Sequence, residues 1–177
     1  MTMSPRLRKA VLTAHITTSV GWLGAVVAYL ALDVAAVASQ DVQLVRGAYL
    51  AMELTAWYVI VPLALASVLV GVANALGTTW GLFRQYWVVV KLLLTVVATV
   101  VLLVETRTIS YLAEVAPSTA DPRELPGTLP HSVGGLVVLL ITTILSVVKP
   151  RGLTRYGWRK QQEQRRRHPK QHMAPVP

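Results

Sequence analysis

The sequence predicts an all-α, polytopic membrane protein built as a bundle of four transmembrane helices. Of its 177 residues, 54% are hydrophobic and 14% are charged, whereas about a quarter of a soluble domain is charged. The mean hydropathy is +0.52. The apolar residues gather in four long runs, and about 20 such residues are enough for a helix to cross the hydrocarbon core of a bilayer.

The first two runs contain 23 and 30 consecutive residues without Asp, Glu, Lys or Arg. The third is interrupted only by Lys91, and the fourth is uncharged up to Lys149. Pro62 lies within the second run, where the loss of one backbone hydrogen bond is expected to kink the helix near Tyr58. The runs predict transmembrane helices over about 10–37, 52–76, 86–107 and 131–149.

Two connections and a tail complete the predicted organisation. Residues 1–149 form the transmembrane domain, with a short connection over 38–50 and a longer, proline-rich one over 106–130. Residues 108–115 could extend the third helix beyond the membrane. We expect residues 150–177 to be a basic tail that is disordered or lies on the membrane surface, because Gln and Arg dominate it.

The charges predict the orientation of the chain. Of the 17 Lys and Arg residues, 13 flank the membrane on the side of the two termini, and seven of the eight acidic residues fall near the other side. Because Lys and Arg near helix ends stay in the cytoplasm, both termini are predicted to be cytoplasmic in a multi-pass protein of the cell membrane. The net charge of +9 is therefore not attributed to nucleic-acid binding. The tail either attracts anionic lipid headgroups or only fixes the topology.

The composition also narrows the chemistry. The chain has no cysteine, so it forms no disulfide, Cys-ligated metal site or thiol nucleophile. It contains no Walker motif, dinucleotide-binding fingerprint, serine elbow or zincin motif. These observations favour a protein that is not an enzyme.

Three polar residues form a predicted inner group, near the cytoplasmic ends of the helices: His15, Asn74 and Lys91. Polar side chains within transmembrane helices are costly and often functional. His15 could ligate haem or a metal, accept a proton, or bond across helices as a neutral imidazole. Lys91 could pair with a substrate, or extend its ammonium to the interface. His15, Ser19, Trp22 and Asp33 recur on one face of the first helix, which is expected to face the bundle interior.

Four residues form a predicted outer group, one on each helix: Asp33, Glu53, Glu105 and His131. Three carboxylates and an imidazole at similar depth would suit a divalent cation, and bundles build metal sites in this way. The alternative is that each side chain lies singly at the interface. Ser132 is placed to cap the fourth helix. His15 and His131 are expected about 20 Å or more apart, which disfavours one haem held by both.

Several short segments resemble a family of small bacterial integral membrane proteins of unknown function. They are Ala-His-Ile at 14–16, Gly-Trp-Leu-Gly at 21–24, Gln-Tyr-Trp at 85–87 and Lys91. More distantly, the chain is similar to the four-helix core of the copper-resistance-D-like membrane proteins. The resemblance covers about residues 10–148. It implies a four-helix bundle and, by distant analogy, copper or haem handling that involves His15 and Lys91.

Three functions follow as hypotheses. The first is an accessory or small transport-related membrane protein without enzymatic activity, as a homo- or hetero-oligomer if it transports. The second is a membrane redox protein that binds haem near His15. The third is divalent-metal handling, of copper for example, at the outer group.

Overall fold

A computed structural model describes residues 3–77, 85–148, 150, 152 and 154–167 of the chain, and most of these residues are helical. Most of the segment between the second and third predicted helices, 78–84, and the end of the tail, 168–177, lie outside the described residues. The α-helices are α1 (Pro5–Ala38), α2 (Val42–Thr55), α3 (Val61–Leu76), α4 (Tyr86–Val115), α5 (Leu129–Val148) and α6 (Arg155–Arg167).

Four helical stretches are long and apolar enough to cross a membrane: α1, the continuous stretch Val42–Leu76, α4 and α5. The predicted all-α, four-helix class is confirmed. Helix α1 packs against α3 and α5, and α4 packs against the same two helices. The four stretches therefore close into a ring around a central axis.

The two ends of this ring differ in charge. At the basic end, α1 and α4 begin and α3 and α5 end; Arg6, Arg8 and Lys9 lie there. The Tyr86 amide donates a 3.3 Å bond to the Gly152 carbonyl, which holds the start of α4 against the segment after α5. At the opposite, acidic end, α2 and α5 begin and α1 and α4 end.

The second helical stretch begins ten residues earlier than predicted, at Val42 rather than near 52. The expected connection over 38–50 is therefore largely helical. Asp41 caps α2, because its Oδ1 accepts a bond from the Gln43 amide. Buried residues spaced three or four apart pack α2 onto α1 and α4: Val45, Ala48, Tyr49 and Met52. The charges of Arg46 and Glu53 concealed this amphipathic pattern from a search for uncharged runs.

An irregular turn ends two residues before Pro62, in the region where a kink is predicted. Residues Ala56–Ile60 form a π-helical turn between α2 and α3. Proline cannot donate to the carbonyl four residues earlier, and a π-turn is one way in which a helix accommodates such a break.

The long connection before α5 is ordered in part by its own charges. Helix α4 continues to Val115, as the possible extension over 108–115 suggested. Beyond it, the Arg123 guanidinium donates to the Asp121 carboxylate, and these bonds lower the pKa of Asp121 to about 2. Arg123 also donates a 3.0 Å bond to Gln40, which joins this connection to the end of α1.

The tail differs from the expectation of disorder, because Arg155–Arg167 forms helix α6. Thr154 begins this helix: its hydroxyl accepts a 3.1 Å bond from the Gly157 amide, and its carbonyl accepts a bond from the Trp158 amide. Capping of this kind supports a helix even in a polar, arginine-rich segment. The charge composition of the tail did not reveal this helix.

Candidate functional site

In the described part of the bundle a cavity lies toward each end, and both of these cavities touch the same apolar layer. Trp22 of α1 and Leu139 of α5 line both cavities and are only 3% and 5% exposed. They pack in one buried cluster with Val26, Ile60 and Ala64. This cluster, the apolar layer, separates the cavities near mid-bundle.

The basic cavity, toward the basic end, has a volume of about 620 Å³. All three predicted inner-group residues line it: His15 from α1, Asn74 from α3 and Lys91 from α4. Arg8 lines it as well and is exposed, so the cavity extends to the basic end. Its ionisable residues within the described part of the chain are thus Arg8, His15 and Lys91, which are all basic.

Lys91 is held by neighbours on two sides. Its Nζ donates a 3.2 Å hydrogen bond to the Ser146 hydroxyl of α5 and lies 5.4 Å from the ring centre of Trp87. The Ser146 hydroxyl in turn donates to the Thr142 carbonyl at 2.8 Å. An ammonium over an indole face is favourable, and more so away from water. These contacts keep the ammonium at the cavity wall.

His15 is held between two backbone segments of α3. Its imidazole lies close to the Ser67 carbonyl and interacts electrostatically with Lys91. On the other side is Gly71, where a Cβ atom would come within 3.0 Å of the imidazole Cε1. Nδ1 is buried and has no hydrogen-bond partner among the residues that the structure describes. The imidazole is therefore positioned closely and retains one unused polar atom.

Hydroxyl groups complete the basic cavity. Ser19 of α1 and Ser67 of α3 share a 2.8 Å hydrogen bond across the helix interface. Thr95 of α4 bonds back to the Lys91 carbonyl at 2.9 Å, and Thr143 of α5 to the Leu139 carbonyl at 2.8 Å. Such bonds to the preceding turn satisfy a hydroxyl inside a membrane helix. The oxygen lone pairs of these groups add polarity to the wall.

The acidic cavity, toward the acidic end, has a volume of about 320 Å³ and a mostly apolar lining. Its polar wall includes Glu105 of α4 and His131 of α5, whose Oε1 and Nε2 atoms lie 3.2 Å apart. The His131 side chain is 52% exposed, so this cavity reaches the surface of the acidic end. The second Glu105 oxygen, Oε2, is buried and has no hydrogen-bond partner in the described part of the chain.

Asp33 lies behind the wall of the acidic cavity. It is completely buried on α1, and its Oδ2 accepts a 2.7 Å hydrogen bond from Ser132 of α5, which lines the cavity. Its Oδ1 lacks a partner among the described residues. Ser132 was predicted to cap its helix, but its hydroxyl instead joins α5 to α1. The neighbouring Tyr29 contacts Thr128 at 3.4 Å and interacts electrostatically with both Asp33 and Glu105.

The structure does not bring the four predicted outer-group residues, Asp33, Glu53, Glu105 and His131, together at one point. Within the described ranges, no three His, Cys, Asp or Glu side chains come close enough to hold a metal ion. Glu105 and His131 meet as a pair, Asp33 is turned to Ser132, and Glu53 of α2 is not part of the cavity lining. The sequence places residues along a helix, but the rotation of each helix decides which side chains meet.

The sequence missed the partners that hold these groups. Ser146 beside Lys91, Ser67 beside Ser19 and Gly71 beside His15 lie on helices far apart in the chain. Of the apolar-layer residues, the sequence singled out only Trp22, because its spacing places it on the same face of α1 as His15 and Asp33. The chain matches no family model, no curated protein and no solved structure.

Proposed function

We propose that the chain is a small membrane transport protein in which the two cavities give access, from opposite faces of the membrane, to the apolar layer between them. The observation that carries this proposal is the sharing of Trp22 and Leu139 by both cavities. Secondary transporters expose a central site alternately to either side of the membrane. A bundle with a cavity at each end and one thin apolar layer between the cavities suits that mode of action.

The orientation belongs to the same proposal. The basic end faces the cytoplasm of a cell membrane, because it collects most of the Lys and Arg residues. Helix α6 then lies on the cytoplasmic leaflet and contacts anionic headgroups. Tyr156 and Trp158 support this placement, since both are more than half exposed and such rings favour the headgroup layer. Arg155, Arg159 and Lys160 supply the charge that anionic lipids attract.

Cysteine labelling tests the two-sided access, because the natural chain has no cysteine to interfere. Ser19→Cys places a thiol in the basic cavity and Ala98→Cys places one in the acidic cavity. Ser4→Cys and Ser118→Cys mark the exposed basic and acidic ends. The measurement is the extent of reaction with a membrane-impermeant maleimide in intact cells and in inverted membrane vesicles.

We expect Ser19→Cys to react from the same side as Ser4→Cys, and Ala98→Cys from the same side as Ser118→Cys. Reaction of both cavity thiols from one side, or of neither from any side, would contradict two-sided access. Reaction of Ser4→Cys from outside the cell would contradict the proposed orientation while leaving the two-sided access intact.

A second candidate function is haem binding at His15. The observation that favours it is the buried Nδ1 atom without a described partner, beside a cavity of about 620 Å³. His15 would hold the iron of such a group, and Arg8 and Lys91, which line the same cavity, would pair with its carboxylates. His131 lines the other cavity and does not share this site.

An absorption spectrum decides this second candidate. Protein expressed with ample haem and purified in detergent is expected to show a Soret band that His15→Ala removes. Absence of the band from the wild-type protein would eliminate haem binding and leave the transport proposal unaffected.

A further inference from the structure

The chemistry of the basic cavity defines the kind of ligand that it accepts. Arg8 and His15 are seven residues apart on α1, and therefore on one face of that helix. Lys91 belongs to α4, the helix across the ring from α1. Cations from two opposite walls thus face one space.

The donor geometry of these groups suits an oxygen anion. The Arg8 guanidinium can donate two parallel hydrogen bonds to a phosphate or carboxylate, and the Lys91 ammonium, which lines the same cavity, is a further donor for such an anion. Trp87, whose ring lies beneath the Lys91 ammonium, and Ser146 fix the position of this donor. Gly71 and Ser67 fix the imidazole of His15. The Lys91 ammonium and the His15 imidazole are therefore held in position before any ligand enters.

The rim of the same cavity is apolar and reaches the outer surface of the bundle. Leu12 and Ile16 of α1 and Val147 of α5 line the cavity and are nevertheless exposed, Val147 by 76%. In a membrane such a surface is covered by acyl chains, since these helices are long and apolar enough to span it. A charged interior with an apolar, lipid-facing rim matches a molecule with an anionic head and an apolar tail.

We infer that the basic cavity binds an anionic amphiphile, with its oxyanion headgroup between Arg8, His15 and Lys91 and its hydrocarbon tail leaving past Leu12, Ile16 and Val147. This inference deepens the proposed function and rests on it in one respect, because it names the class of substrate for the transport route. The headgroup chemistry is that of a phosphate diester or a carboxylate. A free phosphate ion shares this chemistry but lacks the tail.

Equilibrium titration of the full chain in non-ionic detergent micelles tests the inference. The probe is short-chain phosphatidylglycerol with brominated acyl chains, which quench the fluorescence of nearby tryptophan; Trp22 and Trp87 line the cavity. Brominated phosphatidylcholine with the same chains is the zwitterionic control, and inorganic phosphate is tested as a competitor. Micelles have no two sides, so this measurement is independent of the labelling test of transport.

We expect saturable binding of phosphatidylglycerol, about tenfold tighter than that of phosphatidylcholine. Arg8→Gln and Lys91→Gln should each weaken binding about tenfold, the loss expected for one charge-assisted hydrogen bond. Arg6→Gln is the matched control, since Arg6 carries the same charge on the same helix but does not line the cavity. It should change the affinity less than about twofold, as expected for a screened surface charge. Lys91→Arg retains the charge and should bind within about threefold of the wild-type affinity.

Three results would overturn the inference. One is equal affinity for phosphatidylglycerol and phosphatidylcholine. Another is a loss of affinity in Arg6→Gln as large as that in Arg8→Gln, which would assign binding to general charge at the helix end. The third is binding of inorganic phosphate as tight as that of the lipid, which would assign the site to a free anion. If Lys91→Gln does not fold, Arg8→Gln decides, because its side chain is exposed.

Discussion

The basic and acidic cavities share one apolar layer but satisfy their ionisable groups in different ways. In the basic cavity, the Lys91 ammonium is held by a hydroxyl and an aromatic face. In the acidic cavity region, Asp33 and Glu105 each have one bonded carboxylate oxygen and one buried oxygen without a described partner. Helix α1 contributes a residue to each end, since the basic Arg8 and the acidic Asp33 lie near its opposite ends.

The two ends of the bundle therefore differ in two respects: in the sign of their ionisable groups, and in how far those groups are buried. His15 and Asp33 are 18 residues apart, about 27 Å along α1 at 1.5 Å per residue. The basic group opens into a larger, more polar space, whereas Asp33 is sealed behind Ser132. The basic cavity is therefore suited to binding a ligand, and the Asp33 contact to joining α1 and α5.

The largest expected effect comes from removing the barrier between the two cavities. Trp22→Ala deletes a side chain that is only 3% exposed and would leave a void joining both spaces. Truncation of a buried Trp costs about 3–5 kcal/mol of unfolding free energy. We expect this loss in unfolding by sodium dodecyl sulfate from mixed micelles.

Trp158→Ala is the matched control, because that indole is 57% exposed on α6. It should change the free energy of unfolding by less than about 0.5 kcal/mol. A similar small change in Trp22→Ala would show that the apolar layer is not tightly packed and that the cavities are not separate compartments.

A smaller effect distinguishes the hydrogen bonds of the two regions. Ser132→Ala removes the hydroxyl that donates to the completely buried Asp33, and this should cost about 1–3 kcal/mol, the penalty for leaving a buried polar group unpaired. Ser19→Ala removes a bond between two hydroxyls in the basic cavity, for which about 0.6 kcal/mol is typical in membranes. The same unfolding assay measures both variants, and equal losses would refute the proposed difference.

The sequence predicted those features of the two cavities that depend only on the position of a residue along one helix. Long uncharged runs identified the four spanning stretches, and the spacing of His15, Ser19, Trp22 and Asp33 identified the face of α1 that faces inward. His15, Asn74 and Lys91, which were grouped by their positions along the helices, line one cavity. Each of these predictions uses only the rise and the periodicity of a single helix.

The sequence could not predict which side chains meet, because that depends on the rotation of one helix against another. Asp33 faces Ser132 and Glu105 faces His131, so that these outer-group residues do not meet at one point with Glu53 in the described structure. The start of α2 was missed for a different reason. Its apolar stripe is interrupted by Arg46, whose guanidinium donates to the Ala116 and Thr119 carbonyls instead of facing lipid.

The smallest expected effect compares two glycines, one on each cavity. At Gly71, beside the basic cavity, an added Cβ would lie 3.0 Å from the His15 imidazole, whereas at Gly135, on the acidic cavity, it would meet nothing within 4 Å. Alanine generally stabilises a helix by about 0.5–1 kcal/mol relative to glycine. Gly135→Ala should show this gain in the unfolding assay. Gly71→Ala should show little or none, because the imidazole has to shift by a few tenths of an ångström, and it should also perturb the His15 imidazole resonances in NMR spectra. An equal gain in both variants, with unchanged His15 resonances, would show that the basic cavity does not hold His15 tightly, and would remove the argument that this imidazole is positioned before a ligand enters.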